Sequence, residues 1–237
     1  EPQAGTDLGA IRTMATPNGD GTWSIKGQKI FITWGDHDVA ENIVHLVLAR
    51  TPDAPEGSKG ISLFVAPKFL PDASGNPGER NAITTVSVEH KLGIHGSPTC
   101  VLEYEGATGF LVGELHGGLA GMFVMMNSAR VGMGLQATGI SDRAYQRARA
   151  YAEERMQGAV LDRPDGTPIA EHPDVRRLLL SMASEIAAMR ALGVYVGDLF
   201  DRATDADGIR LAELFVPIFK GWTTEEALRI TSDAIQV

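Results

Sequence analysis

The chain has 237 residues, 43% of them hydrophobic, enough for one large domain or two smaller ones with a real apolar core. A net charge of -9 and a pI near 5.1 argue against a sequence-independent grip on nucleic acid, which needs clustered cations, and favour a small-molecule partner. Cys100 is the only cysteine, no signal-peptide pattern opens the chain and no membrane-length apolar run is free of charge, so the expectation is a cytoplasmic protein without a disulfide or a membrane span.

The opening residues, EPQAGTDLG, place Gly5 and Thr6 in a turn. Gly5 permits close backbone approach and Thr6 offers a hydroxyl, a pairing that suits a phosphate or ribityl chain, although Thr-Asp also caps ordinary turns. Up to about Gly113, short apolar runs at 23–32, 42–50, 60–67, 83–90 and 99–104 alternate with Pro, Gly, Asn and Asp, which predicts an antiparallel barrel or sandwich; 73–81 reads as a surface loop. Beyond it the period changes. Leu119, Met122, Phe123, Met126, Met133, Ile140, Ala144, Ala148 and Tyr151 recur at helical spacing and predict one long helix. After a turn at 162–167, Pro173 and Asp174 open a second helix with the stripe Val175, Leu178, Leu179, Met182, Ile186, Met189, Gly193, Val196 and Phe200. A third runs from about Leu211 through Trp222, Leu228 and Ile235, with Pro217 as a kink. The fold class is therefore α+β: a β-barrel or sandwich domain over 1–113 and long helices of an incomplete bundle over 114–237. No Met opens the chain, and 230–237 stop within an apolar helical pattern without a Gly or Asn cap, so an internal piece of a longer protein is expected.

Within the strand KIFIT, alternation puts Ile30 and Ile32 on one side and Phe31 and Thr33 on the other. A flat ring two residues from a hydroxyl can lie against a conjugated ring system while the hydroxyl or nearby amides bond its heteroatoms. From spacing alone, a strand buried on both faces is the commoner meaning of such a run. On the long helix, Arg130 lies beside the row of Met122 and Met126, with Asn127 three residues before it. A guanidinium there needs a partner, either an acid of the same core or an anionic substrate or catalytic carboxylate. Arg155 and Gln157, near the helix end, suit a phosphate, and a basic residue there equally serves the helix dipole.

Other chemistries lack their motifs. There is no Walker loop, and GMGLQATG at 132–139 lacks the G-x-G-x-x-G spacing and a preceding strand, so it reads as a helix-packing stretch. Neither H-E-x-x-H nor G-x-S-x-G occurs; Asp36-His37-Asp38 reads as a solvated turn and His95 as a loop residue.

EPQAGTDLGAIRT, GQKIFIT, EHKLGIHGSPT, MMNSARVGMG and YAEERMQG, in this order and at these separations, resemble the middle and early C-terminal domains of the acyl-CoA dehydrogenase family, in particular its larger bacterial type. The resemblance spans nearly the whole chain. It implies an FAD enzyme that removes two hydrogens between Cα and Cβ of an acyl-CoA thioester, the α-proton going to a carboxylate and the β-hydride to flavin N5. It also implies a homo-oligomer and an electron-transferring flavoprotein as acceptor. Carried over residue by residue, Gly5 and Thr6 match the turn beside flavin and pantetheine. Phe31 and Thr33 match the aromatic and hydroxyl that wall and bond the isoalloxazine, with Ile32 offering backbone; Phe replaces the Trp of some members and loses an indole donor. Asn127 and Arg130 match the acidic or polar residue and the arginine near the acyl-CoA. Arg155 and Gln157 match the pair that reaches the FAD pyrophosphate or adenylate of a neighbouring subunit, and Ser97 lies in the loop that approaches CoA. The family's catalytic glutamate lies in a stretch expected beyond Val237, so no catalytic base is assigned within the chain. An acyl-CoA oxidase, or a non-catalytic acyl-CoA or protein-binding module on the same scaffold, are the alternatives.

Overall fold

The computed structural model describes residues 1–161, 166–202 and 205–237. Its contacts divide the chain into two units, Glu1–Val124 and Met125–Val237.

The first unit is organised by its longest strand. Eight strands run β1 Met14–Pro17, β2 Trp23–Thr33, β3 Val44–Arg50, β4 Ile61–Pro67, β5 Phe69–Pro71, β6 Pro77–Arg80, β7 Ile83–Val88 and β8 Thr99–Val112. The order β2-β1-β3-β4-β8-β7, with β2 also paired to β8, closes the sheet into a barrel. The closed ring runs through β2, β1, β3, β4 and β8, while β7, bonded to β8 alone, remains an edge strand. The predicted run at 99–104 is thus only the first part of β8: the stretch holding Glu103, Glu105, Gly106 and Gly109 reads as polar and broken, yet it pairs with β2 as far as Trp23↔Gly109. Gly106 sits at φ 87 where β8 carries one residue more than β2, a bulge that bends the strand. At Gly109 a side chain would meet Ile25 Cδ1 at 2.5 Å. The barrel is antiparallel except for a single parallel contact, Met14↔Arg50. Ile25, Phe64, Leu102 and Tyr104 fill its core together with Ala15, Ala49 and Ala107.

Within 73–81, expected as a surface loop, β6 pairs with β5 in a two-stranded ribbon. The Asp72 carboxylate accepts from the amides of Ser74 (2.8 Å) and Asn76 (2.9 Å) and so turns the chain back. Asn81, in sequence merely a turn former, is buried and saturated. Its Nδ2 donates to the carbonyls of Pro67 and Thr108, and its Oδ1 accepts from the amides of Ala82 and Thr108.

A second buried polar group lies inside the barrel. His45 Nε2 is 2.8 Å from the Gly35 carbonyl and Nδ1 is 3.1 Å from the Tyr104 hydroxyl. A carbonyl only accepts, so Nε2 carries the proton and Nδ1 of the neutral ring accepts from Tyr104. Burial lowers the pKa of His45 and raises that of Tyr104, which keeps both neutral.

In the second unit, α1 (Gly118–Glu154, which begins in the first unit), α2 (Pro173–Arg202) and α3 (Ala206–Gln236) supply the three long helices. The turn expected at 162–167 falls mostly on residues 162–165, outside the described residues. Asp205 caps α3 by accepting from the amide of Gly208 (2.7 Å), and α3 runs through Pro217. The α2 stripe is buried at Met182, Ile186, Met189, Gly193 and Val196, while Phe200 is exposed. By length and composition α2 would pass as a membrane span (mean hydropathy 1.3), but Glu185 and Arg190 interrupt it and pair with Arg229 and Asp142.

The α1 stripe is corrected more deeply. Of the expected stripe Met122 and Ala148 are buried, but Phe123, Met133, Ile140 and Tyr151 are exposed, and the other buried positions beyond Met122 form a seam of small residues, Gly134, Ala137, Thr138, Ser141 and Ala152. Small residues let helices approach closely, and this seam is invisible to a hydropathy stripe that weights large side chains. Gly134 is its tightest point: a Cβ there would lie 2.4 Å from the Phe219 ring of α3. Thr138 and Ser141 return their hydroxyls to the carbonyls of Gly134 and Ala137. The expectation that 132–139 is a packing stretch agrees with this seam.

Two outcomes follow. Gly134→Ala should destabilise the protein by about 1–3 kcal/mol through overpacking, seen as a lower urea midpoint, and Phe219→Leu should partly relieve it. An unfolded His45 takes its proton at higher pH than the folded one, so the unfolded state binds more protons and stability rises with pH. Its contribution is complete above the ordinary histidine range and is lost as pH falls through that range. His45→Gln should flatten that part of the profile, measured by denaturant melts between pH 7.5 and pH 5.

Candidate functional site

The first thirteen residues form a loop closed at its base by a side chain. The Glu1 carboxylate accepts from the amides of Arg12 (2.7 Å) and Thr13 (3.1 Å), from the Thr13 hydroxyl (2.5 Å) and from Lys29 Nζ (2.7 Å). Ala4 and Ile11 pack on Ile61, giving the loop a small core of its own. Burial pushes the pKa of Glu1 upward, but the Arg12 amide, Lys29 and Thr13 outweigh it and hold the carboxyl at about 2. Burial lowers the pKa of Lys29, and Glu1 opposes that shift.

Gly5 and Thr6 lie at the exposed tip of this loop. Asp7, not Thr6, caps the following 3-10 turn, accepting from the Gly9 amide at 2.9 Å. A Cβ at Gly5 would meet nothing within 4 Å, and its φ is not left-handed. Packing within the chain does not require glycine there, whereas a group approaching from outside would gain from it.

At the end of β2 the simple alternation expected of KIFIT is replaced by a bulge. Lys29 pairs with Leu102 and Ile32 with Cys100, so three steps along β2 match two along β8. Phe31 takes the left-handed conformation (φ 57), a backbone cost of about 1–2 kcal/mol for a residue other than glycine, and its side chain is 65% exposed. Thr33 is also exposed, while Ile30 and Ile32 are half-buried. Phe31 and Thr33 are thus the exposed members of this run and Ile30 and Ile32 the more buried ones, in a bulge and not a flat strand. Non-glycine residues in this region mark places where surrounding structure over-determines the backbone, often beside a ligand.

Trp34, which the sequence reading passed over, shares the feature: φ 56 and 42% exposure, with its ring edge-on to His37 at 5.3 Å. An aromatic directly after a strand and before Gly35 was the available signal. The Trp34 amide donates to the Pro98 carbonyl at 2.7 Å, which brings Ser97 beside the bulge. Ser97 is half-buried; its carbonyl accepts from Lys91 Nζ, and His95 donates to the Lys91 carbonyl at 2.9 Å. Gly35 then supplies the carbonyl for His45, and Asp36 is paired with Lys68 (2.6 Å) and accepts from Thr85 (2.8 Å). Among the described residues no group of three or more metal-ligating side chains gathers.

The remaining candidates belong to the second unit. Asn127 and Arg130 are half-buried on α1, with Arg130 Nη1 donating to Asn127 Oδ1 at 3.4 Å. Arg155 directly follows the last residue of α1, its amide donating to the Tyr151 carbonyl at 2.9 Å, and Gln157 lies two residues further on. They stand on an extended segment: the Gln157 amide donates to the Thr167 carbonyl (3.0 Å), the Ile169 amide donates to the Arg155 carbonyl (2.8 Å), and Met156 pairs with Pro168. His172 Nε2 donates to the Gln157 carbonyl at 2.7 Å. Alternate residues of such a segment share a side, so both exposed side chains project together. The candidates thus form two sets: Gly5, Thr6, Phe31, Ile32, Thr33 and Ser97 in one unit, Asn127, Arg130, Arg155 and Gln157 in the other.

Comparison with known proteins bears on both units. The family model described as "Acyl-CoA dehydrogenase, middle domain" matches residues 1–107, and that described as "Acyl-CoA dehydrogenase, C-terminal domain" matches 116–237. The chain is 50% identical to the 3-methylmercaptopropionyl-CoA dehydrogenase of Ruegeria pomeroyi and 42% identical to a broad-specificity linear acyl-CoA dehydrogenase of Mycobacterium tuberculosis, each over 100% of this chain and 42% of the relative. It therefore spans less than half the length of these curated relatives. Among solved structures, it resembles Caenorhabditis elegans ACDH-11 in complex with C11-CoA (TM-score 0.84, 26% identity, 100% of this chain and 38% of that one). It also resembles the butyryl-CoA dehydrogenase of Megasphaera elsdenii (TM-score 0.73, 28% identity, 97% and 55%). With both family models matching in order and covering the barrel and the helices, the chain belongs to the acyl-CoA dehydrogenase family.

Proposed function

We propose that the intact protein is an FAD-dependent acyl-CoA dehydrogenase that introduces a Cα–Cβ double bond into an acyl-CoA thioester. The carrying observation is Phe31, held outward on a barrel strand in a backbone conformation that its own chain does not favour. Its neighbours suit the same group. Thr33 and Thr6 offer exposed hydroxyls, Gly5 leaves open space at the loop tip, and the backbone of Ile32 lies between the two exposed side chains. When bound, FAD supplies the acceptor for the hydride that leaves Cβ.

The residues of this chain bind and orient. Phe31 offers a flat apolar face, and the hydroxyls of Thr6 and Thr33 donate to heteroatoms of the ring system and its side chain. Arg155 and Gln157, projecting together from one segment, suit the pyrophosphate: the guanidinium as a fork of donors, the amide as a neutral donor beside it. Ser97 and the Asn127–Arg130 pair are assigned to the acyl-CoA; the positive charge of Arg130 favours the anionic form of a group placed against it. Proton abstraction at Cα is assigned to no residue of this chain. In the same reading the acceptor is an electron-transferring flavoprotein, the assembly is a homo-oligomer and the compartment is the cytoplasm. Similarity to a chain in a solved electron transferring flavoprotein structure of Acidaminococcus fermentans (28% identity, TM-score 0.74) supports the flavin association.

The full-length protein should purify yellow, and its visible flavin band should bleach on titration with 3-methylmercaptopropionyl-CoA, butyryl-CoA or a longer acyl-CoA, the strongest response naming the chain-length class. A colourless protein that refuses added FAD would sink the reading. Phe31→Gly separates backbone from ring. Glycine relieves the left-handed cost, so folding stability should hold or rise by up to about 1 kcal/mol while the Kd for FAD rises at least tenfold; Phe31→Trp should retain affinity.

A further inference from the structure

We infer that the Glu1–Lys29 ion pair is a positioning device that sets the loop tip bearing Gly5 and Thr6 and the bulge bearing Phe31 relative to one another. The inference rests on the flavin reading for its functional consequence and on geometry for everything else.

Both charges are withdrawn from water, with side chains 3% (Glu1) and 12% (Lys29) exposed. Removing two ions from water costs several kcal/mol each, and an apolar pair of similar volume often stabilises a fold as well or better. Stability alone does not call for charges here. What the pair adds is direction. Glu1 receives five hydrogen bonds, from two consecutive amides, one hydroxyl, one ammonium and the side-chain amide of Gln3, and these fix the carboxylate plane and so the path of the loop that it closes. Lys29 makes a second bond, to the Leu48 carbonyl on β3 at 2.8 Å, so its nitrogen is held from two directions.

The position of Lys29 along β2 gives the pair its second function. It is the last residue in regular register before the extra residue of the bulge, and Phe31 follows two positions later. A strand that carries an extra residue has a choice of where to place it. Holding Lys29 on Glu1 and Leu48 fixes the last regular step and leaves the irregular one to Ile30 and Phe31. From the bulge, Trp34 extends the connection to Pro98. One buried ionic joint thus connects the base of the loop that bears Gly5 and Thr6 with the strand that bears Phe31. In sequence Glu1 and Lys29 are 28 positions apart, and neither stands in a pattern that signals pairing.

The test uses the full-length protein. Lys29→Met keeps the stem and removes the charge; Lys29→Arg keeps the charge; Val47→Ala, a core truncation in the barrel, provides a control for general destabilisation. Lys29→Met should raise the Kd for FAD at least tenfold and shift the bound-flavin absorbance band. Val47→Ala, even at a comparable loss in Tm, should change the Kd less than twofold, and Lys29→Arg should stay within about threefold of wild type. In the FAD-free protein, amide hydrogen exchange at Arg12 and Thr13 should accelerate at least tenfold in Lys29→Met and not in Val47→Ala. Equal effects of Lys29→Met and Val47→Ala on FAD affinity, or Lys29→Met binding within twofold of wild type, would overturn the functional consequence. Unchanged exchange at Arg12 and Thr13 would overturn the clamp whatever the fate of the flavin reading, and a wild-type protein that takes up no FAD would overturn the flavin reading alone.

Discussion

The hydrogen bonding of β8 along both its edges is the constraint on which the first unit depends. One strand of fourteen residues pairs with β2 over most of its length, with β7 near its start and with β4 at its end. Because its backbone groups are committed on both sides, β8 cannot slip by one residue without turning Leu102 and Tyr104 out of the core. Its partner β2 carries the irregularity beside Phe31 against that fixed template. The bulge is therefore a mismatch in length between two strands whose registers are set elsewhere.

Buried polar groups give the barrel its second level of definition. Asn81 satisfies all its donors and acceptors on the connection into β7, His45 links the turn after Trp34 to Tyr104 on β8, and Glu1 closes the N-terminal loop. Each is costly if left unpaired, so each admits few arrangements of the backbone around it. All three lie next to irregular chain and not in the middle of regular strands. Hydrophobic burial holds the barrel together without specifying where its loops point, and these groups supply that specification.

The helical unit solves a different packing problem. Its α1 is buried at glycine, alanine, threonine and serine, and at Gly134 the ring of Phe219 on α3 occupies the space that a side chain would need. Large apolar residues of α1 and α3, among them Met133, Ile140, Leu228 and Ile235, consequently remain exposed. Met133, Ile140 and Leu228 line an open cavity together with Ala137 and Ala227, so these large side chains border the α1–α3 junction without filling it.

Much of this was legible in the amino-acid sequence. The change of period near Gly113 separates strands from helices, Pro173 opens α2 where a first-turn proline is tolerated, and five motifs in order identify the family, because these features depend on local chemistry or on residue identity. Tertiary structure decided the rest. Whether 99–104 continues to Val112 depends on partners on both sides of the strand; which face of α1 is buried depends on how closely α3 can come; and the left-handed turn at Phe31 exists only because β2 is one residue longer than the β8 segment it must match. The pairing of Glu1 with Lys29 belongs to the same class. Local sequence specifies what each segment prefers, and long-range register determines which of those preferences are overridden.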